Sequence, residues 1–301
     1  MIQLKAPIPD ELADSLECHF CEAGPGNWII ESIPGGRNFH LYGFFDTPEQ
    51  AQDTYRILAN EVPGLPTASH ISELPDQDWK EAYKLHFKPW NCGTIHWVPS
   101  WLKETYPLPP GHQALFLDPG MAFGTGNHET TRLCLEGLVE YHSELSPDEI
   151  PQKRVVDAGC GSGILALSAA LLGFQNIYAF DTDQDSIRIC HENASANRLQ
   201  DKVLFSHEGL DSIQPHSADL ILANILAPVL VDNASLLLGG LVQQQGSTLI
   251  LSGILNQEAP NVWEVFEQTS QTLGLPTKIH RVDSGIWSAL ICQAFSHREP
   301  S

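Results

Sequence analysis

The densest chemical signal in the sequence is Val155-Val156-Asp157-Ala158-Gly159-Cys160-Gly161-Ser162-Gly163-Ile164. An apolar run that breaks into closely spaced glycines and resumes as an apolar helix is a strand turning into a helix. In a parallel sheet that turn lies at the ligand crevice. Glycines there let a ligand approach the backbone with no Cβ in the way. The spacing is G-x-G-x-G, neither the G-x-G-x-x-G of dinucleotide binding nor a phosphate loop ending in Gly-Lys-Ser/Thr. A nucleoside ligand without a pyrophosphate is the consequence. Asp181 ends the next strand about 20 residues on, where a carboxylate accepts hydrogen bonds from vicinal ribose hydroxyls. S-adenosyl-L-methionine meets both conditions, since its adenosine carries an amino acid on a sulfonium and no phosphate. Asp157 would face the ammonium of that ligand, directly or through water. The plain alternative, a tight strand–helix turn with no ligand, leaves Asp181 at this spacing unexplained.

Two further segments carry chemistry. Asp219-Leu220-Ile221-Leu222-Ala223-Asn224 is a strand ending in an asparagine beside the same crevice. The side-chain oxygen of Asn224 can accept a hydrogen bond from an amine and so aim the nitrogen lone pair at an electrophilic methyl, which is catalysis by positioning. Asn224 also suits the N-cap of the following helix, and both roles are compatible. The run Leu117 to Thr131 places Gly120, Gly124 and Gly126 ahead of a helix starting near Glu129. It suggests a loop able to fold over the ligand, with Phe123 covering it. His128-Glu129 would begin a zinc-protease motif only with a histidine at position 132, where the chain has Arg132.

These residues need a frame. From about Ala114 onward, strand signals (155–157, 177–181, 203–206, 220–224, 248–252) alternate with helical ones (163–172, 184–198, 227–238). Alternation of this kind is a parallel sheet covered on both faces. Residues 279–282 and 287–295 are two strands joined by Asp283-Ser284-Gly285 and a short turn, so they pair antiparallel. The first 74 residues read as β-α-β-β-α-β. Leu12, Leu16 and Phe20 are one helical turn apart, and Thr47-Pro48 starts a second helix whose face holds Tyr55, Leu58 and Val62. That order is the split βαβ, ferredoxin-like pattern. Residues 75–111 read as a linker region, with a helical stretch over 76–85 and then Trp90, Trp97 and Trp101 among prolines, an irregular segment packing its tryptophans between two domains. The catalytic domain is expected over 112–301.

Composition narrows the partners. The 301 residues carry 16 Lys+Arg against 37 Asp+Glu, a formal net charge of −21. Such a chain is a poor binder of nucleic-acid phosphates and of anionic membranes, and its field favours basic partners. Seven scattered cysteines make no disulfide framework. Cys18-His19-Phe20-Cys21 is a single C-x-x-C, short of the four ligands of a structural zinc site. Cys160 reads as a small packing residue. The longest apolar run, Ile164 to Phe174, is well under the roughly 18–20 residues that cross a bilayer. The N-terminus lacks the order of a signal peptide. The expectation is a reduced, cytoplasmic, soluble protein.

Taken together, Leu117 to Thr131, Asp157 to Gly163 and Asn224-Ile225-Leu226 resemble the ribosomal protein L-eleven methyltransferase family (PrmA type). The likeness spans nearly the whole chain and is most specific from Asp118 onward. It implies an α/β fold: a Rossmann-like seven-stranded methyltransferase sheet with a C-terminal antiparallel hairpin, preceded by a small α+β ferredoxin-like domain that recognises the substrate. It implies methyl transfer from S-adenosyl-L-methionine to lysine and N-terminal amines of a basic large-subunit ribosomal protein, without metal. It implies cofactor binding by Thr131, Gly159, Asp181 and Asn224, to which the glycine motif adds Asp157 and Gly161 and the loop adds Phe123 and Gly124. Where the family often has Thr-His-Pro, this chain has Asn127-His128-Glu129. Three rival readings remain: a related methyltransferase acting on another lysine, a small amine or a nucleic-acid base; a nicotinamide oxidoreductase, against which the glycine spacing counts; and a binding module with a degenerate cofactor site, against which the intact Gly159, Asp181 and Asn224 count.

Overall fold

A computed structural model describes residues 2–9, 12–13, 15–16, 19–20, 28–32, 38–66, 69–73, 88–117 and 129–295. The chain divides into two units, Met1–Phe87 and Lys88–Ser301.

In the first unit, strands β1 (Ile2–Pro9), β2 (Trp28–Ser32), β3 (Asn38–Phe45) and β4 (His70–Glu73) form an antiparallel sheet in the order β2-β3-β1-β4. Strict alternation builds β1, since Ile2, Leu4, Ala6 and Ile8 are buried and the residues between them are not. The described residues between 12 and 20 are helical, with Leu12, Leu16 and Phe20 buried as their spacing requires. Helix α1 (Pro48–Glu61) starts where expected: the Thr47 hydroxyl accepts from the Gln50 amide at 3.1 Å, and Pro48 fills the first turn. Its buried face is Ala51, Tyr55 and Leu58. The closing strand of the expected β-α-β-β-α-β order is β4. Cys18, Cys21 and the helical stretch expected over 76–85 fall outside the described residues.

The second unit opens with a small sheet, β5 (Trp90–Cys92), β6 (Ile95–Pro99) and β7 (Gln113–Leu117). Sequence reasoning expects an irregular segment here. Instead Trp90 pairs with Trp97 across β5 and β6, and their rings stack at 4.2 Å. The Trp97 indole donates to the Ser168 hydroxyl at 2.8 Å, which ties the small sheet to the body of this unit.

The main sheet has seven strands: β8 (Arg154–Ala158), β9 (Asn176–Asp181), β10 (Leu204–His207), β11 (Leu220–Asn224), β12 (Thr248–Leu255), β13 (Thr277–Ser284) and β14 (Trp287–Ala294). Their order is β10-β9-β8-β11-β12-β14-β13. β8 to β12 are mutually parallel, and β14 enters antiparallel between β12 and β13. Helices α2 (Glu129–Ser143), α3 (Ile164–Leu171) and α4 (Gln184–Ala196) contribute to the core on one face. Helices α5 (Ala227–Asp232), α6 (Ala234–Gly240) and α7 (Ala259–Thr272) contribute to the core on the other. The expected single helix over 227–238 is broken at Asn233, whose backbone leaves helical geometry (φ −113°, ψ 15°) while its side chain donates to the Val229 carbonyl at 2.9 Å. Helix α7 is an element the strand–helix alternation above does not name. Among the described residues no helix is long and apolar enough to cross a membrane.

Candidate functional site

Strand order reverses between β8 and β11, because β8, β9 and β10 run outward one way while β11 and β12 run the other. The carboxyl ends of β8 and β11 therefore border the crevice where such sheets bind ligands. The sequence delivers Asp157 and the glycine motif to one side of it and Asn224 to the other.

The glycine loop takes the shape only glycine adopts readily. Gly159, Gly161 and Gly163 have φ of +75°, +52° and +78°. The amides of Gly159 and Cys160 both donate to the Phe180 carbonyl at 2.9 Å, stitching the loop to the end of β9. Asp181 completes the connection. One carboxylate oxygen accepts from the Gly161 amide at 2.8 Å and the other from the Asp183 amide at 2.9 Å. Each oxygen keeps a further acceptor position, and the residue is partly exposed, as a ribose diol requires. Cys160 is buried with its sulfur 3.6 Å from that of Cys190, a packing role.

Asp157 is fully buried. Its Oδ2 accepts from the Ala166 amide in the first turn of α3 at 3.0 Å, while Oδ1 is buried with no partner among the described residues. Burial pushes its pKa up to about 7; the Ala166 amide opposes the rise and the Asp181 carboxylate adds to it. A buried carboxylate oxygen without a donor is costly, and a cationic N–H donor is the group that would relieve it.

Asn224 lies across the crevice. Its Nδ2 donates to the Thr131 hydroxyl at 3.2 Å, and Thr131 is fully buried in the first turn of α2. That bond turns Oδ1 the other way, and Oδ1 is buried with no partner among the described residues. The site thus presents two unsatisfied buried acceptors, Asp157 Oδ1 and Asn224 Oδ1, beside a ribose-type carboxylate. This donor-hungry pair fits a cofactor carrying an ammonium and a substrate carrying an amine. Phe123, Gly124 and His128 belong to the segment 118–128, outside the described residues.

Sequence reasoning assigned no role to three neighbours. Ser252 pairs with Asn224 in register, is fully buried, and lies beside the buried Cys134 thiol. Gly253 forms a β-bulge beside it, and Ile225 packs against both Gly253 and Gly159. The one signal available for the bulge was a glycine inside a strand pattern.

The burial of Asp157 has a measurable consequence. Between about pH 4 and pH 7 the folded chain holds a proton at Asp157 that the unfolded chain has released, so its contribution makes stability fall as pH rises across that window and then level off. Asp157→Asn removes that slope. Urea unfolding of both proteins at pH 5 and pH 8 should show the parent losing stability relative to the variant; equal changes would refute an uncompensated acid there.

The profile of the family described as "Ribosomal protein L11 methyltransferase (PrmA)" matches residues 28–294. A ribosomal protein L11 methyltransferase of Trichlorobacter lovleyi is 35% identical over 275 residues, covering 88% of each chain. One from Synechococcus elongatus is 35% identical over 295 residues, 93% of this chain and 92% of that protein. The crystal structure of a ribosomal protein L11 methylase from Lactobacillus delbrueckii subsp. bulgaricus superposes with a TM-score of 0.59 at 29% identity, over 69% of this chain and 99% of that one. With the glycine loop, Asp181 and Asn224 in the crevice and a family match over most of its length, this chain belongs to the ribosomal protein L11 methyltransferase family.

Proposed function

We propose that the chain transfers methyl groups from S-adenosyl-L-methionine to amines of ribosomal protein L11, on lysine side chains, the N-terminal amine or both. The observation that carries this reading is the buried Asn224 Oδ1, an acceptor without a donor, fixed by the Nδ2 bond to Thr131. When bound, the cofactor supplies a methyl already activated on a sulfonium. Asp181 would hold its ribose hydroxyls, the Gly159–Gly161 backbone would lie against its nucleoside, and Asp157 Oδ1 would meet its ammonium directly or through water. Phe123 and Gly124 would close over it.

Asn224 Oδ1 accepts an N–H of the incoming amine and so fixes the direction of the nitrogen lone pair. Only a neutral amine has that lone pair, and a free lysine has a pKa of about 10.4. The site must therefore favour the neutral amine, by desolvation or by accepting its proton. The net charge of −21 draws a basic protein and repels nucleic acid, so the partner is the free or exposed basic ribosomal protein rather than ribosomal RNA. The domain expected over residues 1–74 would recognise that protein. With a ribosomal substrate, the activity would belong in the cytoplasm.

The test is methyl transfer from labelled cofactor to purified L11, with mass spectrometry assigning each methyl to a lysine or to the N-terminus. Labelled L11 supports the reading. Cofactor binding without labelled L11, but with label on other lysine-containing proteins, would redirect the substrate assignment.

A further inference from the structure

The residue after Asn224 is held in an unusual way. Ile225 follows the end of β11, and its side chain packs on the core face opposite the Asn224 amide. A Cβ placed on Gly159 would stand 2.6 Å from Ile225 Cγ2. A Cβ placed on Gly253 would stand 2.5 Å from the Ile225 carbonyl oxygen, 3.0 Å from its carbonyl carbon and 3.2 Å from its nitrogen. Both glycines have positive φ, +75° and +80°. Gly253 sits in the bulge where the β12–β14 register shifts between Leu251 and Ile254. Bulges beside active sites re-aim neighbouring groups, and here the bulge brings backbone against backbone.

Ile225 is therefore wedged between two positions that have no side chain. One belongs to the loop that takes the cofactor, and the other to the strand next to Asn224. The Ile225 peptide cannot move toward Gly253 without striking main chain, and its Cγ2 rests on Gly159. We propose that Ile225 is a positioning residue: its Cγ2 branch acts as a spacer that sets the distance between the cofactor loop and the Asn224 amide. The proposal rests on the transferase reading of Asn224 given above.

The shape of the contact separates this role from ordinary burial. Valine keeps both γ-carbons, including the one on Gly159, and loses only Cδ1. Leucine keeps the full volume and apolar surface but has no branch at Cβ. A residue that merely fills the core would tolerate leucine about as well as valine, since both changes carry similar, modest costs. A spacer working through Cγ2 requires valine over leucine.

Ile225→Val is expected to hold kcat for L11 methylation within about threefold of the parent, and Ile225→Leu to lower it at least about tenfold, the scale of a sub-ångström misplacement of reacting groups. Cofactor affinity by calorimetry should stay within about threefold in both, because Asp181 and Asp157 are untouched. Leucine equal to or better than valine, or kcat and cofactor affinity falling in step, overturns the proposal. A second measurement is independent of catalysis. Gly159→Ala should depress the melting temperature less in the Ile225→Leu background than in the parent, because Cγ2 is gone while the positive-φ strain is common to both. Additive losses overturn the wedge. A parent that binds cofactor but methylates no amine would instead overturn the transferase reading, and the melting cycle still decides the wedge.

Discussion

Asp181→Ala weakens S-adenosylmethionine binding by about 10²–10⁴-fold, the expected effect of losing two hydrogen bonds to a charged acceptor at roughly 1.5–3 kcal/mol each. The loss has two sources. The ribose hydroxyls lose both acceptors. The Gly161 and Asp183 amides lose theirs as well, so the loop and the entry to α4 are less well fixed before any ligand arrives. Asp181→Asn separates these contributions, since it keeps one acceptor oxygen and should fall between parent and alanine. Calorimetric titration of the three proteins measures the order directly. A change under about threefold in the alanine variant would remove Asp181 from the cofactor site.

Asn224→Ala acts on the other quantity. Cofactor affinity should move by only a few-fold, while kcat for amine methylation falls on the order of 10²-fold, the scale set by misaligning a nucleophile by about 1 Å. The variant also strands the Thr131 hydroxyl, which now accepts from Asn224 Nδ2. Unfolding by urea should accompany the kinetics, so that a loss of fold is not read as a loss of chemistry. Normal turnover in Asn224→Ala would end its assignment as the amine acceptor.

The legible part of this protein was the part with a sharp local code. The apolar run into Gly159-x-Gly161-x-Gly163 can only be a strand turning into a helix, and Asp181 lies at the end of the next strand because β9 follows one helix later. Alternation in β1, and the Thr47-Pro48 start of α1, are equally local. Some of what escaped depends on contacts distant in sequence. β5 is three residues long and shows no period of its own; it exists because Trp90 has Trp97 to stack on. Helix α7 did carry a signal, with Ala259, Val262, Phe266 and Ser270 spaced for one buried face. The break at Asn233 comes from a side chain competing for a helix carbonyl. The hairpin of β13 and β14 was visible, but nothing local says that the later strand lies between β12 and β13. In the site, the orphaned oxygens of Asp157 and Asn224 and the wedge at Ile225 are properties of juxtaposition, which no single segment encodes.

That late strand bears on how the chain is made. β14 is almost wholly buried and fills a slot between β12 and β13, both of which precede it in the sequence. During synthesis the apolar edge of β12 must wait, unpaired on that side, until some forty residues more have emerged. An open edge of that kind is a template for pairing with other chains. The nascent protein is therefore most vulnerable to aggregation late in translation, when its cofactor loop and Asn224 already exist and only the strand between β12 and β13 is missing. Damage or slow delivery at β14 would be felt as loss of soluble protein long before it was felt as loss of catalysis.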